Sequence, residues 1–458
     1  MNSGRKKLAI VSSYNENCGN ASYTFVLKEQ FSKYYEVDVL ALDLFVIQKS
    51  GKDAVDFADR HIKDLCVRLR EYDYVNIQFE SGLYGARLAD VLRRAKWLID
   101  AAPNLIFTMH RIDLAELSGT RAIWNAVKAR SLQTYIRASM PRRYASLYRN
   151  IIDHCAAASK SKNVWIKVHT KREKRIVADF YGFKNCVDFP LAFLSRDQRS
   201  SYLQIGDRDQ QSFKEKHNFP AYAKVIGLFG YITDYKGIET AVRAMSSLPY
   251  EYHIGLFGSQ HPQSIRPHVE IDPYLKTLLK TIDEATADQF SRADWRVTAQ
   301  KKLNRDTSPR PVSTVGELQS DADDEAEAAP QPSPTELSSR VRFIGNLPDP
   351  DFIEALRLCD AVALPYLEVG QSMSGVLALS MEAGAKVFCA NNLSFFEARK
   401  YYGEIYHNFD IGNHVELAQK ISVGGEDFRT ARDKVYEKYN IYESIRLQMR
   451  LFEKKGDE

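Results

Sequence analysis

Four places in the 458-residue chain set polar residues where a strand-length apolar run meets a helix-like pattern. In open parallel sheets, ligands bind at such junctions, because helix N-termini there offer free N–H groups to anions. The first, "NENCGNAS", places Gly19 and Asn20 where the backbone could approach a phosphate or a sugar, or simply turn. The second is His110, which ends "LIFTMH" and reads as a polar strand cap or a ligand-facing group. The third, "GYITDYKGIE", carries Gly230 and Tyr231 after a strand and Lys236 just before a helix starting near Gly237. A lysine there adds a point charge to the helix-end field, which suits a diphosphate. The fourth is "LPYLEVGQSMSGVLALSMEAGAKV", residues 364–387. Its loop holds one early acid, Glu368, followed by Gln371, Ser374 and Gly375 ahead of a helix pattern closed by Gly384.

These junctions need strands and helices to position them, and the apolar pattern supplies both. "KKLAIVSS", "YEVDVLALD", "YDYVNIQFE" and "NLIFTMH" read as strands in the first half. "KVIGLFGYI", "YHIGLFG", "VRFIG", "DAVALPY" and "AKVFCAN" read as strands in the second. Helix patterns lie between them, such as "GIETAVRAMSSL" with Ile238, Val242 and Met245 on one face. Alternation of this kind predicts α/β architecture: two Rossmann-like domains whose parallel sheets face a central cleft. The expected bounds are 1–200, 201–430 and a C-terminal helix over 431–458 that packs back toward the first domain, with a hinge in the polar stretch 197–220. Residues 305–339 are rich in Pro, Ser, Asp and Glu. They cannot bury enough apolar surface to offset their ordering entropy, so a disordered acidic insertion is expected from about 290 to 339.

Composition narrows the partners. No apolar run is long enough to cross a membrane and no secretory signal opens the chain, so a cytoplasmic protein is expected. Six scattered cysteines without a CxxC pair fit reduced thiols. Residues 1–200 hold 33 Lys/Arg against 21 Asp/Glu, so the small net charge of +4 conceals a basic first half. The excess concentrates in 121–149, which interleaves basic residues with Trp124, Tyr135, Tyr144 and Tyr148 and has no acid. That segment reads as a solvated helical face, or as a surface for anionic lipid headgroups at the inner face of a membrane or for a phosphate-bearing acceptor. No nucleic-acid motif accompanies it. The dinucleotide fingerprint GxGxxG is absent, which argues against a nicotinamide cofactor and a Rossmann-type epimerase or dehydrogenase. The acidic tripeptides at 207–209, 321–323 and 349–351 fall in polar linkers or ahead of a helix, so no metal site is expected.

Taken in order, these segments resemble the family-four retaining glycosyltransferases of the GT-B fold. "NCGNASYTFVL" looks like their "CGIAxYT" start, "YVNIQFESGLYG" like "vhiQhEfglf", and "IFTMH" like "vvTlH". "GLFGYITDYKGIETAVRAM" resembles their phosphate-binding unit, and "VRFIGNLPDPDFIEALRLCDAVALPY" the segment before their donor loop. The resemblance spans residues 8 to about 400. It implies sugar transfer from a nucleotide-sugar with retention at the anomeric carbon and without metal or cofactor. The acceptor would be a glycan or a lipid-linked sugar, in bacterial surface polysaccharide synthesis. His110 would meet the donor sugar, and Lys236 and the helix from Gly237 the diphosphate. Gly19, Asn20, Gly230, Tyr231, Gln371, Ser374 and Gly375 would line the donor site.

The chain departs from the family in its charged groups. The family's two donor-loop glutamates fall on Gln371 and Leu379, and its arginine falls on Tyr231. Glu382 lies most of a helical turn beyond the second position. Glu368 is then the acid expected to reach the sugar or ribose, and a non-catalytic nucleotide-sugar-binding protein stays open as the alternative.

Overall fold

The computed structural model describes residues 5–16, 18–112, 132–261, 271–285, 337–368, 370–424 and 428–454, with Trp124, Lys128 and Ile265. Two six-stranded sheets dominate it, and their strand pairs are parallel. The first contains β1 (Lys7–Ser12), β2 (Glu36–Ala41), β3 (Tyr74–Phe79), β4 (Leu105–Met109), β5 (Val164–Val168) and β6 (Cys186–Asp188), in the order β2-β1-β3-β4-β5-β6. The second contains β7 (Lys224–Phe229), β8 (Tyr252–Phe257), β9 (Val341–Phe343), β10 (Ala361–Leu364), β11 (Val387–Ala390) and β12 (His407–Phe409), in the order β12-β11-β10-β7-β8-β9. Most strands are buried along their length, as parallel strands covered by helices must be, so they read as continuous apolar runs. Ile238, Val242 and Met245 are buried together on the helix Ile238–Ala244 and the turn after it.

Winding reverses between β1 and β3 in the first sheet and between β7 and β10 in the second. Such switch points open a crevice at the strands' carboxyl ends. The loops after β7 and β10 therefore flank one crevice, and those after β1 and β3 the other.

Most of the stretch 197–220, expected to hold the hinge, forms two helices, Arg196–Leu203 and Asp207–Lys216. Ser195 and Gln198 close a capping box on the first, and Phe213 of the second stacks on Phe257 of β8. The chain crosses earlier, through 189–195. There the Glu382 carboxylate accepts the Phe193 and Leu194 N–H groups, both at 3.0 Å. The helix Ile441–Glu453 lies against the first sheet, where Phe452 stacks on Tyr74 with ring centres 4.7 Å apart.

The acidic insertion lies outside the described residues up to 336; Leu337–Arg340 is a 3-10 turn leading into β9. Most of the basic segment before 132 also lies outside them. Tyr148, expected on that surface, is instead buried at 1% exposure on the helix Leu132–Ala158, while Trp124 is exposed and stacks with Lys128. All six cysteines are free thiols.

Candidate functional site

Glycines shape the crevice of the second sheet. Gly230 follows β7 with φ +93°, and Gly237 sits at φ +60°, a left-handed conformation that favours glycine. A Cβ on Gly237 would stand 2.1 Å from the Pro365 carbonyl oxygen, and one on Gly258 would stand 1.9 Å from the Gly230 carbonyl oxygen. Only bare backbone fits, so the loops after β7, β8 and β10 close tightly around Lys236.

Lys236 is 7% exposed, and its Nζ donates to Tyr366 Oη at 2.5 Å. The ammonium also lies 4.0 Å from the Tyr366 ring centre and 5.3 Å from that of Tyr235. Among the described residues no carboxylate pairs with it. Burial alone pushes its pKa down to about 7. The pocket around it is lined by Gly230, Tyr231, Ile232, Gly258, Pro365 and Tyr366. An unpaired cation in a backbone-lined pocket can receive an anion.

The expected donor-loop residues do not all reach that pocket. Glu368 is exposed, and its two carboxylate oxygens accept the Gly370 N–H at 2.8 Å and the Leu393 N–H at 2.6 Å. It ties the loop to the helix Leu393–Tyr402. Ser374 caps the helix Gly375–Glu382 by accepting the Leu377 N–H. Gln371 Oε1 is buried without a partner. Tyr231 packs edge-on to His261, ring centres 4.6 Å apart.

Across the cleft, Gly19 opens the helix Gly19–Phe31, and a side chain there would meet open space. Asn20 Nδ2 donates to Glu80 at the end of β3. Glu80 in turn raises the Tyr235 hydroxyl's pKa through charge, behind the larger effect of burial.

His110 sits in a polar layer that strand periodicity could have exposed. Asn76 and Gln78 on β3, Thr108 and His110 on and after β4, and Lys167 and His169 on and after β5 each lie two residues apart, which puts each pair on one face. The register aligns Gln78, Thr108 and Lys167 in a row. His110 Nε2 meets Gln78 Oε1 at 2.8 Å, and its ring lies 4.8 Å from that of His169. Burial and then the nearby Lys167 charge hold the His110 ring neutral, with its pKa pushed down to about 3.

A further residue escaped the sequence reading. Glu173 is buried, and its Oε2 accepts from the His169 N–H at 3.3 Å, Thr170 Oγ1 at 3.0 Å and Ser372 Oγ of the donor loop at 2.8 Å. One oxygen thus joins the first sheet's strand end to the loop after β10. Burial pushes its carboxyl up to about 7 against those hydrogen bonds.

No family model matches the chain, and no curated protein sequence matches it significantly. Solved structures do. HepE from Anabaena, solved with UDP-glucose, is similar over 97% of this chain and 99% of its own, at 14% identity and a TM-score of 0.56. A glycosyltransferase from Rickettsia africae covers 98% of each chain at 12% identity and a TM-score of 0.57. A trehalose-phosphate synthase from Burkholderia xenovorans, in complex with glucose-6-phosphate, covers 98% of this chain and all of its own at 10% identity and 0.57.

The fold is GT-B. Both sheets of this GT-B chain turn the carboxyl ends of their strands to the cleft, with Lys236, Tyr366 and Ser372 on one wall and Glu80, His110 and Glu173 on the other. Among the described residues no group of three or more His, Cys, Asp or Glu side chains is placed to hold a metal ion, and no helix is long and apolar enough to cross a membrane.

Proposed function

We propose that this chain is a glycosyltransferase that moves a sugar from a nucleotide-sugar donor to a glycan or lipid-linked acceptor, with retention and without a metal. The observation that carries the reading is Lys236, a buried cation without a carboxylate partner, in a glycine-built pocket at the switch point of a GT-B fold. Breaking the donor's glycosidic bond leaves negative charge on the diphosphate. Preorganised positive groups in a water-poor pocket stabilise that charge strongly. Lys236 supplies the charge, and the N–H groups of the adjoining glycine turns supply directed hydrogen bonds. HepE structures hold UDP and UDP-glucose, which supports a nucleotide-sugar here. Neutral His110 meets the sugar from the facing wall, and Gly19 and Asn20 lie beside it. Glu368 shapes the donor loop from outside, through Gly370 and Leu393.

A bacterial role in surface polysaccharide synthesis, a cytoplasmic location and a membrane contact through 121–149 belong to the same reading. The exposed Trp124 with Lys128 stacked on it supports the contact.

A second reading is a GT-B protein that binds a nucleotide-sugar without turning it over. It is favoured by the donor loop, where Gln371 and Leu379 carry no acid and both oxygens of Glu368 are engaged. Thermal shift against a panel of nucleotide-sugars, followed by assay of nucleoside diphosphate release, separates the two. Binding with release supports the transferase; binding without release, across a panel of glycan and lipid-linked acceptors, supports the second reading. If no nucleotide-sugar shifts the melting temperature, both are wrong.

A further inference from the structure

The polar layer of the first sheet continues inward as a directed chain of amides. It ends on the Ser444 carbonyl oxygen in the helix Ile441–Glu453, and a carbonyl can only accept. Gln448 Nε2 donates to it at 3.3 Å and also lies 3.4 Å from Ser444 Oγ. That leaves Gln448 Oε1 to accept from Asn76 Nδ2 at 2.6 Å. Asn76 Oδ1 then accepts from Gln78 Nε2 at 2.5 Å and from Thr108 Oγ1 at 3.4 Å. Gln78 Oε1 is left facing His110 Nε2 at 2.8 Å, which must carry a proton. Turning any one amide over would set acceptor against acceptor along the chain. Asn76, Gln78, Thr108, Ser444 and Gln448 are all buried, and none has a side-chain polar atom left unpartnered. Burying three carboxamides is costly unless each is satisfied, and apolar side chains would fill the space more cheaply. What the amides add is direction.

We propose that this chain fixes the tautomer of His110, with the proton on Nε2 and the Nδ1 lone pair left to accept a sugar hydroxyl, and that Gln448 is the positioning residue that anchors it. The proposal rests on the reading that His110 meets the donor sugar. Nδ1 has no hydrogen-bond partner among the described residues, and His110 is partly exposed, so the lone pair is available to a ligand. Gln448 acts only through Asn76 and Gln78.

The test is a long-range ¹⁵N–¹H spectrum of the histidine-labelled full chain at pH 7, with His110 assigned by its loss in His110→Gln. The expected result is a neutral ring protonated on Nε2. Gln448→Leu removes the anchor, so His110 should become a mixture of tautomers. The kcat for UDP-glucose should fall roughly tenfold, about 1.4 kcal/mol, with KM within about twofold. Gln448→Glu keeps an acceptor for Asn76 and should restore the Nε2–H signature. An Nδ1–H tautomer in the parent protein overturns the proposal, even if the leucine variant fails to fold. So does a parent-like signature in Gln448→Leu. A shifted tautomer with unchanged turnover would instead remove His110 from the transfer step.

Discussion

Among the described residues, each half of the molecule buries one lysine without a carboxylate partner, and the two are held differently. Lys167 lies within β5, fully buried, with Tyr23 Oη at 3.2 Å and the Tyr23 ring 5.6 Å away. Lys236 lies on a loop past the end of β7, against bare glycine backbone and the Tyr366 hydroxyl. Burial pushes both down to about 7. A buried, unpaired cation is therefore not a binding site in itself. Lys167 is enclosed within β5 at 0% exposure, against Tyr23 of the helix Gly19–Phe31. Lys236 stands where the winding of the sheet reverses, beside a pocket lined by Gly230, Gly258 and Tyr366.

The comparison breaks most readily at Lys236. Lys236→Met should weaken binding of the proposed nucleotide-sugar by about 2–5 kcal/mol, roughly thirtyfold or more, with little change in fold. The diphosphate favours the ammonium, which the free protein loses as pH rises through about 7. Parent affinity should then fall by up to about tenfold per pH unit above that point, while the methionine variant stays flat. Calorimetry from pH 6 to pH 9 checks both, and equal slopes would remove the lysine from the site.

Lys167→Met should do the opposite. It removes an unpaired buried charge, so stability should rise by about 1–4 kcal/mol while affinity for the proposed nucleotide-sugar holds within about twofold. The sign with pH follows from a folded-state pKa below the unfolded one. The cost of the lysine is fully present below about 7 and fades as pH climbs toward its ordinary value. The variant's advantage in denaturant melts should therefore shrink between pH 6 and pH 9.5. A destabilised variant, or one that loses donor, would make the two lysines alike.

The smallest effect is expected at Glu368. Glu368→Gln leaves the Gly370 or the Leu393 N–H without its acceptor. Stability should drop by about 0.5–2 kcal/mol, as for a lost helix cap, and transfer should drop with it. Reduced transfer at an unchanged melting temperature would instead put this carboxylate on the sugar.

The fold was legible because most strands are unbroken apolar runs. The exceptions have plain causes. β5 is "VWIKV", whose run is broken by Lys167, and β6 and β12 are edge strands of three residues each. The pocket around Lys236 was legible too, since Gly237 and Lys236 follow a strand in sequence and adjoin it in space. Glu173 was not, because its partner Ser372 is 199 positions away and only domain packing joins them. The amide chain left a partial trace in the i, i+2 polar pairs of β3 and β4, but nothing in the sequence connected those pairs to Gln448. Glu368 is instructive in another way: residue type and position suggested a ligand contact, and the Leu393 N–H, 25 residues on, occupies one of its oxygens.

The helix Ile441–Glu453 also imposes an order in time. Phe452 stacks on Tyr74 and lies 6.4 Å from Phe31 and 6.5 Å from Tyr35, ring centre to ring centre. At about 5–20 residues per second, a ribosome needs on the order of 20–80 s to pass from Tyr74 to Phe452. Throughout that interval the nascent first sheet presents an uncovered aromatic patch and an Asn76 without its glutamine. That surface is covered only when the helix Ile441–Glu453 emerges. The half of the protein that is made first is thus the half that is finished last.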